Sequence, residues 1–151
     1  MQSRVHRATE GRLMNVLGNP TIEKAGAADF HGHAAVLMQT VLPNGGPPAH
    51  YHEGVDELFY LLDGELEVWV GGKHVVMRPG MSATLPRGVV HRFDNTTNQP
   101  ARVLIVVTPG EGAAFFDEFD RVRPQLPHDL PKVVQILANH DIHVVEETVP
   151  A

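Results

Sequence analysis

Cysteine is absent from the 151 residues, so disulfides, thiolate metal sites and a cysteine nucleophile are all excluded. Also missing is any block of basic residues. With 12 Lys and Arg against 18 Asp and Glu, the formal charge is −6, and nothing electrostatic favours nucleic-acid phosphates or an anionic membrane surface. No stretch approaches the roughly 18 apolar residues of a membrane span. The opening residues, MQSRVHRATEGRLMNVLG, lack the apolar centre of a signal peptide. These absences lead us to expect a soluble cytoplasmic protein with neither a nucleic-acid nor a membrane partner. Stability has to come from packing, and 42% apolar residues over this length are enough for a single domain, residues 1–151.

What the chain has in abundance is turn residues, 14 Gly and 12 Pro. Between about residues 13 and 108 they separate short apolar or alternating runs, the pattern of an all-β sandwich or barrel. Strands are predicted at Leu13–Leu17, Ala34–Leu42, Glu57–Leu62, Glu65–Val70, Lys73–Met77, Ser82–Leu85, His91–Asp94 and Arg102–Thr108. Asp63-Gly64 and Gly71-Gly72 read as two-residue hairpin turns of the favoured primed type. The run Pro43-Asn44-Gly45-Gly46-Pro47-Pro48 reads as a shaped loop.

Beyond Pro109-Gly110 the period changes. Ala113, Phe116, Phe119 and Val122 fall at helical spacing, and a second helix is expected from Asp129, whose carboxylate could cap it. Its apolar face would be Val133, Val134, Ile136 and Leu137, with Pro131 tolerated in the first turn. A late strand is expected at His143–Val145. The barrel then occupies about residues 34–108 and a helical extension about 111–140. Both helices are expected to pad the barrel or a subunit interface.

Ten histidines would be background without spacing. His50 and His52 flank Tyr51, and residues two apart in a strand point to one side, so both imidazoles can reach one point. Glu57 follows where the next strand should begin, and His91 opens a later strand after Pro86-Arg87-Gly88. Three imidazoles and a carboxylate suit Mn, Fe, Co, Ni, Cu or Zn better than Mg or Ca, which favour all-oxygen shells. His31 and His33 repeat the His-x-His spacing but have no glutamate at the matching distance, and we assign them no metal role.

In these residues the chain resembles the cupin superfamily, through both of its motifs. The first is matched by His50, His52, Glu57 and Gly64, the second by Gly80, Pro86, Gly88, His91 and Asn95, with 15 residues between them. One position departs: where the family pattern has a glycine, this chain has Asn44, followed by Gly45 and Gly46. The resemblance implies a double-stranded β-helix, the cupin jelly-roll barrel, holding one divalent transition metal through His50, His52, Glu57 and His91. The single barrel followed by Phe115-Phe116-Asp117-Glu118-Phe119 and a second helix looks like small bacterial monocupins described as quercetin dioxygenase-like.

Four protein ligands on a six-coordinate metal would leave two positions for water, dioxygen or a bidentate substrate. Glu57, if it can leave the metal, is the candidate catalytic base; if it stays, its role is structural. Period-two alternation turns Phe59, Leu61 and Phe93 inward as a candidate substrate pocket, suited to an aromatic or largely apolar molecule. The same residues would fill a small barrel without any ligand. Tyr60 and Trp69 face outward or into a dimer contact. The expected function is a metal-dependent dioxygenase or related oxidoreductase, in a homodimer that hides its sheet edges. A non-catalytic small-molecule binder and a metal-dependent isomerase or decarboxylase are the alternatives.

Overall fold

The computed structural model describes residues 3–146. Its strands are β1 (Arg12–Val16), β2 (Asn19–Ala25), β3 (Ala35–Val41), β4 (His50–His52), β5 (Asp56–Asp63), β6 (Leu66–Val70), β7 (Lys73–Met77), β8 (Ser82–Leu85), β9 (His91–Asp94), β10 (Ala101–Thr108) and β11 (Ile142–Val144). Two helices, α1 (Ala114–Val122) and α2 (Leu130–Ala138), lie between β10 and β11. The strands form two antiparallel sheets, β1-β2-β3-β10-β5-β8 and β11-β4-β9-β6-β7. This is the expected all-β double-stranded β-helix with two short C-terminal helices.

Alternation builds the barrel. On β10, Ala101, Val103, Ile105 and Val107 are fully buried while their neighbours are half-exposed. On β5 the inward residues are Glu57, Phe59 and Leu61. Facing them across the interior are Leu66 and Val68 of β6 and Phe93 of β9. Helix α1 seats Phe115, Phe116 and Phe119 in the same core. It is held on β1 by an Arg12–Asp117 ion pair and by the Asn15 N–H donating to Asp120 Oδ1 at 2.8 Å.

Four local expectations need correction. Gly71-Gly72 does turn β6 back onto β7, but Asp63-Gly64 makes no hairpin: β5 pairs with β8 and β10, β6 with β7 and β9, so the chain changes sheets there. Gly64 is still required, since φ is +80° and a Cβ would lie 2.8 Å from Ala101 Cα and from Pro100 O. Strand β2 was not expected, because Pro20, Glu23 and Lys24 interrupt its apolar pattern. In the helices, Val122 and Val134 face outward, and Phe115 is buried in their place. The Asp129 carboxylate does not cap α2; its Oδ2 accepts the Gln125 N–H at 2.8 Å.

Candidate metal centre

Three short segments bring the histidines together. Strand β4 lies between β9 and β11, and His50 pairs directly with His91 in the β4–β9 register. Alternation therefore turns His50, His52 and His91 to the interior, where all three are buried. The loop before His91 is tied at two points. The Gly88 N–H donates to His52 O at 2.7 Å, and Arg87 grips Asp56, next to Glu57, through its backbone N–H and its guanidinium. Asn95, fully buried, donates to Val41 O and Gln99 O and accepts the Thr97 N–H, closing the end of β9 against the loop after β3. In that loop Asn44 adopts φ +64°, a left-handed conformation that asparagine tolerates, which accounts for the departure from glycine there.

The ring centroids are 4.3 Å apart for His50–His91, 5.2 Å for His50–His52 and 5.5 Å for His52–His91. One ring nitrogen from each lies within 4.8 Å of the others, and among the described residues these three form the one group arranged to hold a metal ion. His50 Nδ1 lies 2.8 Å from Pro48 O, and His91 Nδ1 lies 3.2 Å from Val89 O. A carbonyl can only accept, so each Nδ1 carries the proton and each Nε2 presents a lone pair, as a metal ligand needs. The His52 and His91 Nε2 atoms and Glu57 Oε1 are buried without hydrogen-bond partners among the described residues. Such orphaned atoms are costly unless something absent from the chain satisfies them, and three imidazole nitrogens beside a carboxylate oxygen fit a divalent transition metal.

Electrostatics agree. Burial pushes His52 and His91 down to about 3, with the neighbouring histidines adding to the effect, so both rings are neutral at physiological pH. Burial lowers His50 too, against its bond to Pro48 O. Burial alone pushes Glu57 up to about 8, so without a cation its carboxyl group keeps its proton at pH 7. Glu57 reaches the group from the opposite sheet, with Oε1 3.3 Å from His52 Nε2.

Beside the histidines lies a cavity of about 50 Å³, room for a few water molecules. Glu57 and His50 border it, and phenyl rings line it: Phe59 and Phe93 as expected, and Phe115, Phe116 and Phe119 of α1. Leu61, the third expected pocket residue, is fully buried but does not border the cavity; it sits one inward step farther along β5 than Phe59, in the core. Sequence reading missed that α1 walls the cavity, although Phe115-Phe116 in an amphipathic segment was the available signal. Trp69 lies on the outer face, between the Arg92 guanidinium at 4.1 Å and the His74 ring at 4.7 Å. His31 and His33 are exposed in a turn.

A family model described as "Cupin domain" matches residues 37–107. Residues 37–107 form a cupin domain. This cupin is 36% identical over 80 residues to the tetracenomycin polyketide synthase protein TcmJ of Streptomyces glaucescens, covering 53% of this chain and 50% of that one. It is 31% identical over 67 residues to quercetin 2,3-dioxygenase of Bacillus subtilis, covering 44% of this chain and 20% of the dioxygenase. The chain thus spans about half the length of the first relative and a fifth of the second. Among solved structures it resembles the polyketide cyclase RemF of Streptomyces resistomycificus, with a TM-score of 0.62 and 26% identity over 72% of this chain and 80% of that one. Among the described residues no helix is long and apolar enough to cross a membrane.

Proposed function

We propose that this cupin holds one divalent transition metal through His50, His52 and His91, with Glu57 as the fourth group, and that it is an oxidoreductase of the dioxygenase kind. Its substrate would be a small hydroxylated aromatic molecule. The observation that carries the reading is the continuity of the cavity: the same space is bordered by His50 and Glu57 and walled by phenyl rings. A metal there would supply Lewis acidity and, if redox-active, electron transfer to dioxygen.

The chain's own residues do the rest. Phe59, Phe93 and the α1 phenyls exclude water and offer ring faces and edges to an aromatic substrate. Glu57, buried beside the histidines at the wall of the cavity, is suited to take a proton from a substrate hydroxyl and return it later. The free space is small, so a ring system enters only as the α1 phenyls shift. Similarity to a quercetin 2,3-dioxygenase supports the class of reaction, although that match covers 67 residues.

The test is dioxygen consumption by the metal-replete protein with flavonols and catechols. Uptake above a metal-free control supports the reading, and none across the series removes it. A second reading is favoured by the likeness to a polyketide cyclase over 72% of this chain: a non-oxidative ring closure on a polyhydroxylated aromatic, with Glu57 as the proton carrier. Turnover of such a substrate under argon would select it.

A further inference from the structure

The strand register places a second polar group in the cavity, far along the barrel from the histidines. On β5, β10 and β3 the inward side chains fall into rows: Glu57, Val107 and Ala35 in the first, Phe59, Ile105 and Leu37 in the next. The third row is Leu61, Val103 and Gln39, and it continues onto β2 at Thr21. Gln39 is thus four residues along the strand direction from the Glu57 row, roughly 13 Å of extended chain. It nevertheless borders the same cavity, as does Asn19.

Gln39, Thr21 and Asn19 are all buried, and a buried amide is expensive unless its hydrogen bonds are made. Only some of them are. The Thr21 hydroxyl donates to Asn19 O at 3.1 Å, which uses its one proton. Thr21 Oγ1 therefore accepts from Gln39 Nε2, 2.9 Å away. This fixes which end of the Gln39 amide points where: the NH2 group is held on β2, and Oε1 has no partner among the described residues. Asn19 Oδ1 accepts the Leu42 N–H at 3.0 Å, which leaves the Asn19 NH2 group free of hydrogen bonds there.

We infer that Gln39, oriented by Thr21 and accompanied by Asn19, is a second recognition point that accepts a hydrogen bond from a substrate hydroxyl at the end of the cavity remote from the metal centre. The substrate class narrows accordingly. A molecule touching both ends is on the order of 10 Å long, a hydroxylated two- or three-ring aromatic and not a single-ring phenol, with a chelating oxygen pair at one end and a hydroxyl at the other. The inference rests on the proposed reading of the site as one for hydroxylated aromatics.

The test is anaerobic titration of the metal-loaded full chain with quercetin and with 3-hydroxyflavone, which shares the chelating oxygens but lacks the other ring hydroxyls. Quercetin should bind about 5- to 10-fold more tightly, the worth of roughly one buried hydrogen bond. Gln39→Leu should shrink that preference to within about 2-fold, leaving metal content and 3-hydroxyflavone affinity unchanged. Equal binding of the two by the unaltered protein, or a preference that survives Gln39→Leu, overturns the inference. If neither flavonol binds, the substrate reading itself fails and takes the inference with it. Should Gln39→Leu not fold, Thr21→Val decides: freed to rotate, the amide should lose several-fold of the preference, and an unchanged preference overturns its role.

Discussion

His52 Nε2 and Glu57 Oε1 lie 3.3 Å apart on facing sheets, both buried and both without a hydrogen-bond partner among the described residues. Two buried acceptor atoms facing each other are costly unless something satisfies both, and a divalent cation would do so at once.

Replacing His52 or His91 by Ala should lower metal content in proportion. The loss in affinity should exceed the 10- to 100-fold typical of changes in groups that merely hold a ligand. Elemental analysis of purified protein is the measurement, and full stoichiometry in either variant removes that residue from the ligand set.

Loading should release a proton from Glu57. At pH 7 the buried carboxyl group, pushed up to about 8, is protonated in the metal-free protein, and a carboxylate is what a cation requires. Titration calorimetry in buffers of different ionisation enthalpy should give about one proton released per metal at pH 7, and close to none for Glu57→Gln. Equal release in both would mean that Glu57 keeps its proton beside the metal.

The metal-free protein should have a narrow stability optimum in pH. His52 and His91, held near 3 against an ordinary 6.5, leave the unfolded chain binding more protons, so stability falls as pH drops from about 6.5 toward 3. Glu57 acts in the opposite sense: the folded form keeps a proton that the unfolded chain gives up, so stability falls as pH rises from about 4.5 to 8. Chemical denaturation across pH 4 to 9, using roughly one-unit steps, should place the maximum near pH 6.5, where the protons bound by the two unfolded histidines balance the one held by folded Glu57. Glu57→Gln should flatten the alkaline side.

Phe119→Ala should cost about 3–5 kcal/mol in the same assay, because Phe119 is almost fully buried where α1 meets the barrel. A loss below about 1 kcal/mol would mean that α1 is dispensable to the core.

The outer face of the six-stranded sheet should be covered by a second copy of the chain. On this face Leu13, Leu104 and Tyr60 share a register row, with Leu13 69% and Tyr60 39% exposed, while Ile22 and Met38 of that row are buried within the chain. An antiparallel sheet facing water should be polar there. The expected state in sedimentation is a dimer that Leu104→Lys converts to monomer. A monomeric unaltered chain would overturn the assignment.

Much of the barrel and its candidate ligands could be read from the chain because both depend on local rules. Period-two alternation puts His50 with His52 and Glu57 with Phe59, whatever lies across the interior, and Gly71-Gly72 can close only a tight turn. What spacing could not supply was the pairing of distant strands. Asp63-Gly64 has the composition of a hairpin, yet it carries the chain between sheets, because the partners of β5 are β8 and β10. In the sequence Gln39 is one polar residue within the apolar run Ala34–Leu42. Only the row it shares with Thr21, and the cavity that reaches it from Glu57, give that amide an orientation and a use. The sequence determined which side chains face inward, since side-chain direction is a property of one strand. The tertiary structure decided which of them meet, since that depends on how two sheets close over one space.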